Sequence, residues 1–355
     1  MLRSKRTAIG AIALLASVTF VNSLPSSPKP QLAPRAPCAD VKGTFSINQL
    51  QLYPENADFD FHSCLLYIGS LFNASVAVYD PYAKTTSIIE VPDVTHNQAY
   101  HLGGVAANPY TNLISIVVDA GAAFNTGGSD ISGTNLLILW DPATKTEVYR
   151  LNLTTTTHGT YGGFQDVEFD SRGNVYVVGT FPSSILRVEG NGSVVNEWYI
   201  SPLSHTITGY SGLAAVGSRD VLIANDNANK QLVRFDMSLP KGIPIPIPVS
   251  PPKNISGSDA IYLPPKYAGT ILLAAVDASG IEVLRSKDAS WTTAESLGQV
   301  SNKVSAANGG FVTAPVQIGN SIFMVEEFFG DAQPGTRTQF PFVDITEEVE
   351  KLVGK

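Results

Sequence analysis

Charge is what this 355-residue sequence has little of: Asp, Glu, Lys and Arg together make up 15% of it, against roughly 25% in an average soluble domain. Basic residues are the scarcer kind. Twenty-three Lys and Arg stand against 31 Asp and Glu, a net charge of −8, which argues against nucleic acid as a partner because phosphate binding needs a basic face. Cysteine is nearly absent; two residues are too few for a disulfide scaffold or a cysteine-rich zinc site. No uncharged apolar run reaches the roughly 20 residues of a membrane-spanning helix, so no membrane span is expected. Gly-x-Ser-x-Gly, Walker, Rossmann, His-Glu-x-x-His and Cys-x-x-Cys patterns are all missing. Their absence disfavours a standard serine hydrolase, a nucleotide enzyme and a zinc protease. What the chain has instead is turn formers, 30 Gly and 23 Pro, among many β-branched residues, the composition of an all-β protein.

The N-terminus reads as an export signal. Arg3, Lys5 and Arg6 precede the uncharged run Ala8–Val21, and cleavage after Ser23 fits the small residues there. A retained anchor is the alternative. Residues 24–40, with Pro25, Pro28, Pro30, Pro34 and Pro37, form a stiff exposed linker. Residues 41–355 remain for the folded domain. Export to an oxidising compartment lets Cys38 and Cys64 pair, and makes the sequons at Asn73, Asn152, Asn191 and Asn254 possible glycan sites.

Six short apolar runs of strand type recur: Leu65–Gly69, Leu113–Val118, Val175–Gly179, Val221–Ala224, Ile271–Val276 and Ser321–Val325. Their centres are 49, 60, 47, 50 and 50 residues apart, the long interval holding the loop Asp119–Gly133. A turn signal precedes each run, and most are followed by a strand ending in an acid and then by a fourth strand. Four antiparallel strands repeated six times describe a six-bladed β-propeller. The segment Phe45–Leu52 is expected to supply the outer strand of the last blade and close the ring. A β-sandwich is the alternative, though it lacks so long a fixed period. Pro244, Pro246 and Pro248 alternate with Ile243, Ile245 and Ile247, so all three missing donors fall on one strand edge, as an outermost strand allows. A polyproline II loop is the other reading.

Inner strands of such a ring should begin near Glu55, Gly103, Gln165, Ser211, Ser258 and Asn308, and ligands of propellers bind at a channel mouth. Two chemistries follow. Glu55, Asp166, Asp259 and Asn308 could ligate a hard cation such as Ca²⁺ through oxygen. Alternatively His101, directly before Gly103-Gly104, could move protons with Asp166 or Glu55. His96, Phe124, Tyr161, Phe164, Gln165 and Tyr210 would line an apolar pocket for a small lipophilic ligand. Each of these residues also has a plain structural reading, as a turn, cap or packing residue.

The strings Tyr53-Pro-Glu-Asn, Asn73-Ala-Ser-Val-Ala-Val-Tyr-Asp-Pro-Tyr, Asp119-Ala-Gly-Ala-Ala-Phe, Asp130-Ile-Ser-Gly, Tyr161-Gly-Gly-Phe-Gln-Asp and Val178-Gly-Thr-Phe-Pro-Ser-Ser-Ile together resemble the fungal trichothecene biosynthesis protein 14 family, over nearly the whole chain after Lys42. The resemblance implies a fungal protein of sesquiterpenoid mycotoxin biosynthesis; with the export signal, a monomer that is secreted or held in the secretory pathway is expected. It would bind a small lipophilic intermediate and catalyse a non-redox cyclisation or isomerisation. The architecture is more distantly similar to calcium-dependent gluconolactonase propellers, which implies a metal-dependent lactone or ester hydrolase as a second function. Ser211 departs from that pattern, standing where an Asn is expected. A non-catalytic secreted binding protein or virulence factor is the third.

Overall fold

A computed structural model describes residues 37–302, 309–332 and 335–354. The expected signal segment and most of the linker lie outside them, as does Asn308.

The described residues form six antiparallel blades around one axis, and the repeat inferred from spacing is the observed one. Strand β1 (Phe45–Asn48) opens the chain. Blade one then runs outward through β2 (Pro54–Asp60), β3 (Leu65–Ser70), β4 (Ser75–Asp80) and β5 (Thr85–Ile89). Blade two holds β6 (Tyr100–Ala107), β7 (Ile114–Ala120), β8 (Leu136–Asp141) and β9 (Thr146–Asn152). The short helices α1 (Ala122–Asn125) and α2 (Leu153–Thr156) follow β7 and β9. Blade three is β10 (Gly162–Phe169), β11 (Val175–Phe181), β12 (Ser184–Val188) and β13 (Val195–Ile200). Blade four is β14 (Tyr210–Val216), β15 (Val221–Asp226), β16 (Gln231–Asp236) and β17 (Ile245–Ile247). Strand β18 (Val249–Ser250) crosses to lie parallel against the outer strand of blade five, which holds β19 (Ser258–Tyr262), β20 (Ile271–Val276), β21 (Gly280–Arg285) and β22 (Ala294–Ser301). Blade six is β23 (Phe311–Ile318), β24 (Ser321–Glu327) and β25 (Gln339–Asp344), and β1 completes it from outside, Phe45 opposite Phe342. Helix α3 (Thr346–Val353) ends the chain.

Burial follows blade position. Strand β7 is buried at every residue, whereas β5 is exposed at three of five. Second strands therefore read as continuous apolar runs and outer strands as alternating ones. The acids that end strands make the turns: Asp60, Asp80, Asp141 and Asp236 accept the backbone N–H of His62, Tyr82, Ala143 and Ser238 at 2.8–2.9 Å, a side-chain mimic of a backbone turn. The proline-alternating segment is an outermost strand, but a short one. Only Ile245–Ile247 pairs with β16, and Pro246 stands opposite Val233. Cys38 and Cys64 are bonded, tying the N-terminal arm to the start of β3. Among the described residues no helix is long and apolar enough to cross a membrane.

Candidate functional site

Each of the six innermost strands breaks register against its neighbour at the same place. The shifts fall between Pro54 and Ala57, Leu102 and Val105, Phe164 and Asp166, Tyr210 and Leu213, Ser258 and Ile261, and Val312 and Ala314. A bulge bends its strand and re-aims side chains. Here five of the six present a residue to one cavity of about 590 Å³ on the axis: Glu55, Gly103, Gln165, Ser211 and Asp259. Glycine is needed in this ring for closeness, not for φ. A Cβ on Gly104 would stand 2.7 Å from the Gln165 carbonyl oxygen, and one on Gly212 would stand 2.6 Å from the Ile261 nitrogen.

A second tier of the cavity comes from the ends of the second strands and the residues just after them: Leu71, Asp119, Thr180, Asn227, Asp277 and Phe329. Phe72, Phe124 and Phe181 make most of the apolar wall above them. Phe124 and Phe181 meet edge to face at 5.3 Å, fixing α1 over blade three.

His101 and Asp119 are directly opposed across β6 and β7, so their Cβ atoms lie about 5 Å apart on one face. Both line the cavity, and both are nearly inaccessible, at 6% and 1% exposure. Among the described residues neither Asp119 oxygen nor His101 Nδ1 has a hydrogen-bond partner. The Phe72 ring packs edge-on against the imidazole at 5.7 Å, and Gly121 leaves it room, since a Cβ there would sit 2.7 Å from Nε2. Burial drives the two in opposite directions. The imidazole falls to about 4 and is neutral at physiological pH, while the Asp119 carboxyl is pushed well above the carboxylate range. Burial also raises Glu55, reinforced by the charges of Glu327, Asp119 and Asp277. It raises Asp259 with help from Glu55 and Asp277, and lifts Asp277 to about 6. The cavity thus sets carboxyls that burial raises beside an imidazole that burial lowers.

Of the residues singled out in the sequence, Glu55, His101, Gln165, Phe124 and Asp259 line this cavity. Asp166 does not. The bulge turns it to a second cavity, of about 280 Å³, on the far side of the ring. There its oxygens accept from Asn56 Nδ2 and from the backbone N–H of Val167 and Leu213 at 2.8–3.0 Å. Burial still raises it to about 7. Phe164 and Tyr210 are blade-packing core. Tyr161 packs beside that core and donates to the Ser201 carbonyl. His96 is exposed on its loop. Of the sequon asparagines, Asn191 and Asn254 stand exposed in loops, Asn152 caps α2 through its side chain, and Asn73 is half-buried, donating to Gln51.

The calcium set is not assembled. Asp166 lies in the other cavity, and among the described residues no three acidic, histidine or cysteine side chains are placed to hold an ion. Ser211 is committed as well: its hydroxyl donates to the Ser258 carbonyl at 2.7 Å and accepts from Asn225 and Asn227. These residues do not fit the six to eight oxygens calcium requires. Asn225 itself is a hub that sequence reasoning missed. Its carbonyl accepts the N–H of Ser211 and Gly212, and its amide donates to Ser258 and Asp259, locking two bulges together.

Residues 34–298 match the family described as Mal s 1 allergenic protein-like. The chain is 36% identical over 338 residues to trichothecene biosynthesis protein 14 of Trichoderma arundinaceum, covering 89% of this chain and 92% of that protein. Among solved structures, the major Malassezia sympodialis allergen Mala s 1 superposes with a TM-score of 0.75 at 20% identity, over 86% of this chain and 96% of that one. A gluconolactonase from Xanthomonas campestris superposes at 0.54 with 12% identity, over 85% and 89%, which is a likeness of fold alone.

Proposed function

The chain belongs to the Mal s 1 allergenic protein-like family and is a homologue of trichothecene biosynthesis protein 14; from that premise we propose that it acts in fungal secondary metabolism on a small lipophilic, oxygenated intermediate of trichothecene type. The reaction is a non-redox cyclisation or isomerisation in the axial cavity. The observation that carries this reading is that His101 and Asp119 stand directly opposed and buried, with His101 Nδ1 and both Asp119 oxygens lacking partners among the described residues, in a site walled by aromatic rings, where burial lowers the imidazole and raises the carboxyl. Two titratable groups pushed apart by their surroundings are an acid and a base ready for use.

The step balances within the ligand. An ether or epoxide oxygen takes the Asp119 proton as its C–O bond breaks. A hydroxyl of the same molecule attacks the carbon so released and gives its proton to His101. The product is an isomer, and return of the proton from His101 to Asp119 resets the pair. The Asp119 charge reaches Glu55 and, with burial, raises the Glu55 carboxyl. The leader-like residues 1–23 and the disulfide support action in the secretory pathway or outside the cell.

Deletion of the gene is expected to change the metabolite profile and accumulate one intermediate. Complementation with His101→Gln is expected to leave that intermediate unconverted while the protein is made normally. An unchanged profile on deletion refutes the biosynthetic role, and full rescue by His101→Gln refutes the proton transfer.

A further inference from the structure

Among the described residues, every ionisable side chain that lines the axial cavity is an acid or the imidazole of His101. Glu55 comes from β2, His101 from β6, Asp119 from β7, Asp259 from β19 and Asp277 from the end of β20. Glu327, at the end of β24, is close enough to act on Glu55. Arg337 stands behind it, paired with Asp331 at 2.7 Å, and Asp166 acts on Asp259 from the opposite side of the ring. Among the described residues, no Lys or Arg lines the cavity. Buried acids usually find a cation or a donor, yet both oxygens of Asp119 have neither among the described residues, although the residue is 1% exposed. Phe72, Phe124, Phe181 and Phe329 present aromatic rings around the same space. Acids at the floor and aromatic rings on the walls are complementary to one ligand feature, a positive charge on an apolar body, held by carboxylates below and ring faces beside it.

We propose that the axial cavity is a receptor for lipophilic organic cations, so that the molecule it processes carries or develops positive charge at a carbon or nitrogen centre held between Asp119, Asp259 and the phenylalanine rings. The inference rests on the cavity being the ligand site. It narrows the substrate class to compounds whose protonated oxygen leaves a cationic carbon behind, such as allylic alcohols, epoxides and acetals. It also extends to amines, which the proposed reaction does not require. Burial raises these carboxyls above the usual carboxylate range, so a cation that binds favours release of a proton from them. Its affinity therefore rises with pH, whereas that of a neutral ligand accepting a hydrogen bond from the same acids falls.

The probes are benzyltrimethylammonium and its uncharged carbon isostere neopentylbenzene, each titrated against the purified protein by ligand-observed NMR between pH 5 and pH 8. The cation is expected to bind at least tenfold more tightly than the isostere at pH 8 and to lose about tenfold of that affinity by pH 5, where expelling the proton is harder. Asp119→Asn and Asp259→Asn should each weaken the cation and spare the isostere. If one variant fails to fold, the other and the wild-type pH profile decide the matter. Equal affinity for the two probes, or cation binding that ignores pH, overturns the inference and leaves the cavity standing as the ligand site. Failure of both probes to bind overturns the cavity reading together with the inference.

Discussion

Glu326 lets the electrostatics of this ring be tested away from any ligand. It lies on β24 beside Glu327, is fully inaccessible, and among the described residues has no hydrogen-bond partner for either oxygen. It does not line the axial cavity. Burial raises its carboxyl from 4.5 to about 7. Because the folded-state value is raised, the native state holds this proton more tightly than the unfolded chain does. The resulting stability is fully present below about pH 4.5 and is lost as pH rises through about 7. At 1.36 kcal/mol for each tenfold change, the loss is about 3 kcal/mol. Glu326→Gln removes the ionisation. Its buried amide has a cost of its own, on the order of 1–3 kcal/mol, but that cost does not depend on pH. The quantity to measure is therefore the stability of the variant minus that of wild type, by urea unfolding at pH 4 and at pH 8. That difference should shift in the variant's favour by about 3 kcal/mol between the two. A difference that stays flat within about 0.5 kcal/mol would refute the reading that burial raises the unpaired carboxyls of this ring.

Gly121→Ala places a methyl group 2.7 Å from His101 Nε2; it should abolish conversion as fully as His101→Gln while the thermal midpoint moves little, and retained conversion would show that the imidazole position is unimportant. Turnover should fall below about pH 5 as His101 takes up a proton and should also fall as pH rises and Asp119 ionises, a profile read from initial rates. Asn225→Ala removes the bonds that join the bulges of blades four and five and leaves their backbone donors buried, so denaturant unfolding should show a loss on the order of 3 kcal/mol. Replacing Cys38 and Cys64 together by Ser opens a loop of 26 residues and should cost about 3 kcal/mol in the chain-entropy account, read in the same assay.

The propeller was legible because its signals are local and repeat. A buried second strand, an acid that caps the next turn and a half-exposed outer strand recur in each blade, and period alone assembles them. Glu55, Gln165 and Asp259 were legible for the same reason, as polar residues at inner-strand starts, and His101 through the glycine pair that follows it. Parity along the bulged strands was not legible. In a regular strand successive side chains alternate, but one inserted residue reverses the count, so nothing in Phe164-Gln165-Asp166 says that Gln165 faces the ligand and Asp166 the far side. Phe164 and Tyr210 look in sequence like Phe124, because an aromatic ring packed between blades and one lining a cavity share the same pattern. Asp119 and Asp277 were overlooked though a signal existed: Val118-Asp119-Ala120 and Val276-Asp277-Ala278 occupy equivalent places at the ends of second strands, where an acid resembles an ordinary turn former.

The account stands on the claim that this chain isomerises an oxygenated lipophilic intermediate by moving protons between Asp119 and His101. The most direct measurement incubates the purified protein with the intermediate that accumulates in the deletion strain, with no added cofactor, and follows the products by mass spectrometry. The account predicts a product of the same mass as the substrate, formed by wild type and by neither His101→Gln nor Asp119→Asn. A product differing by two hydrogens, an oxygen or a water, or equal conversion by all three proteins, would contradict it.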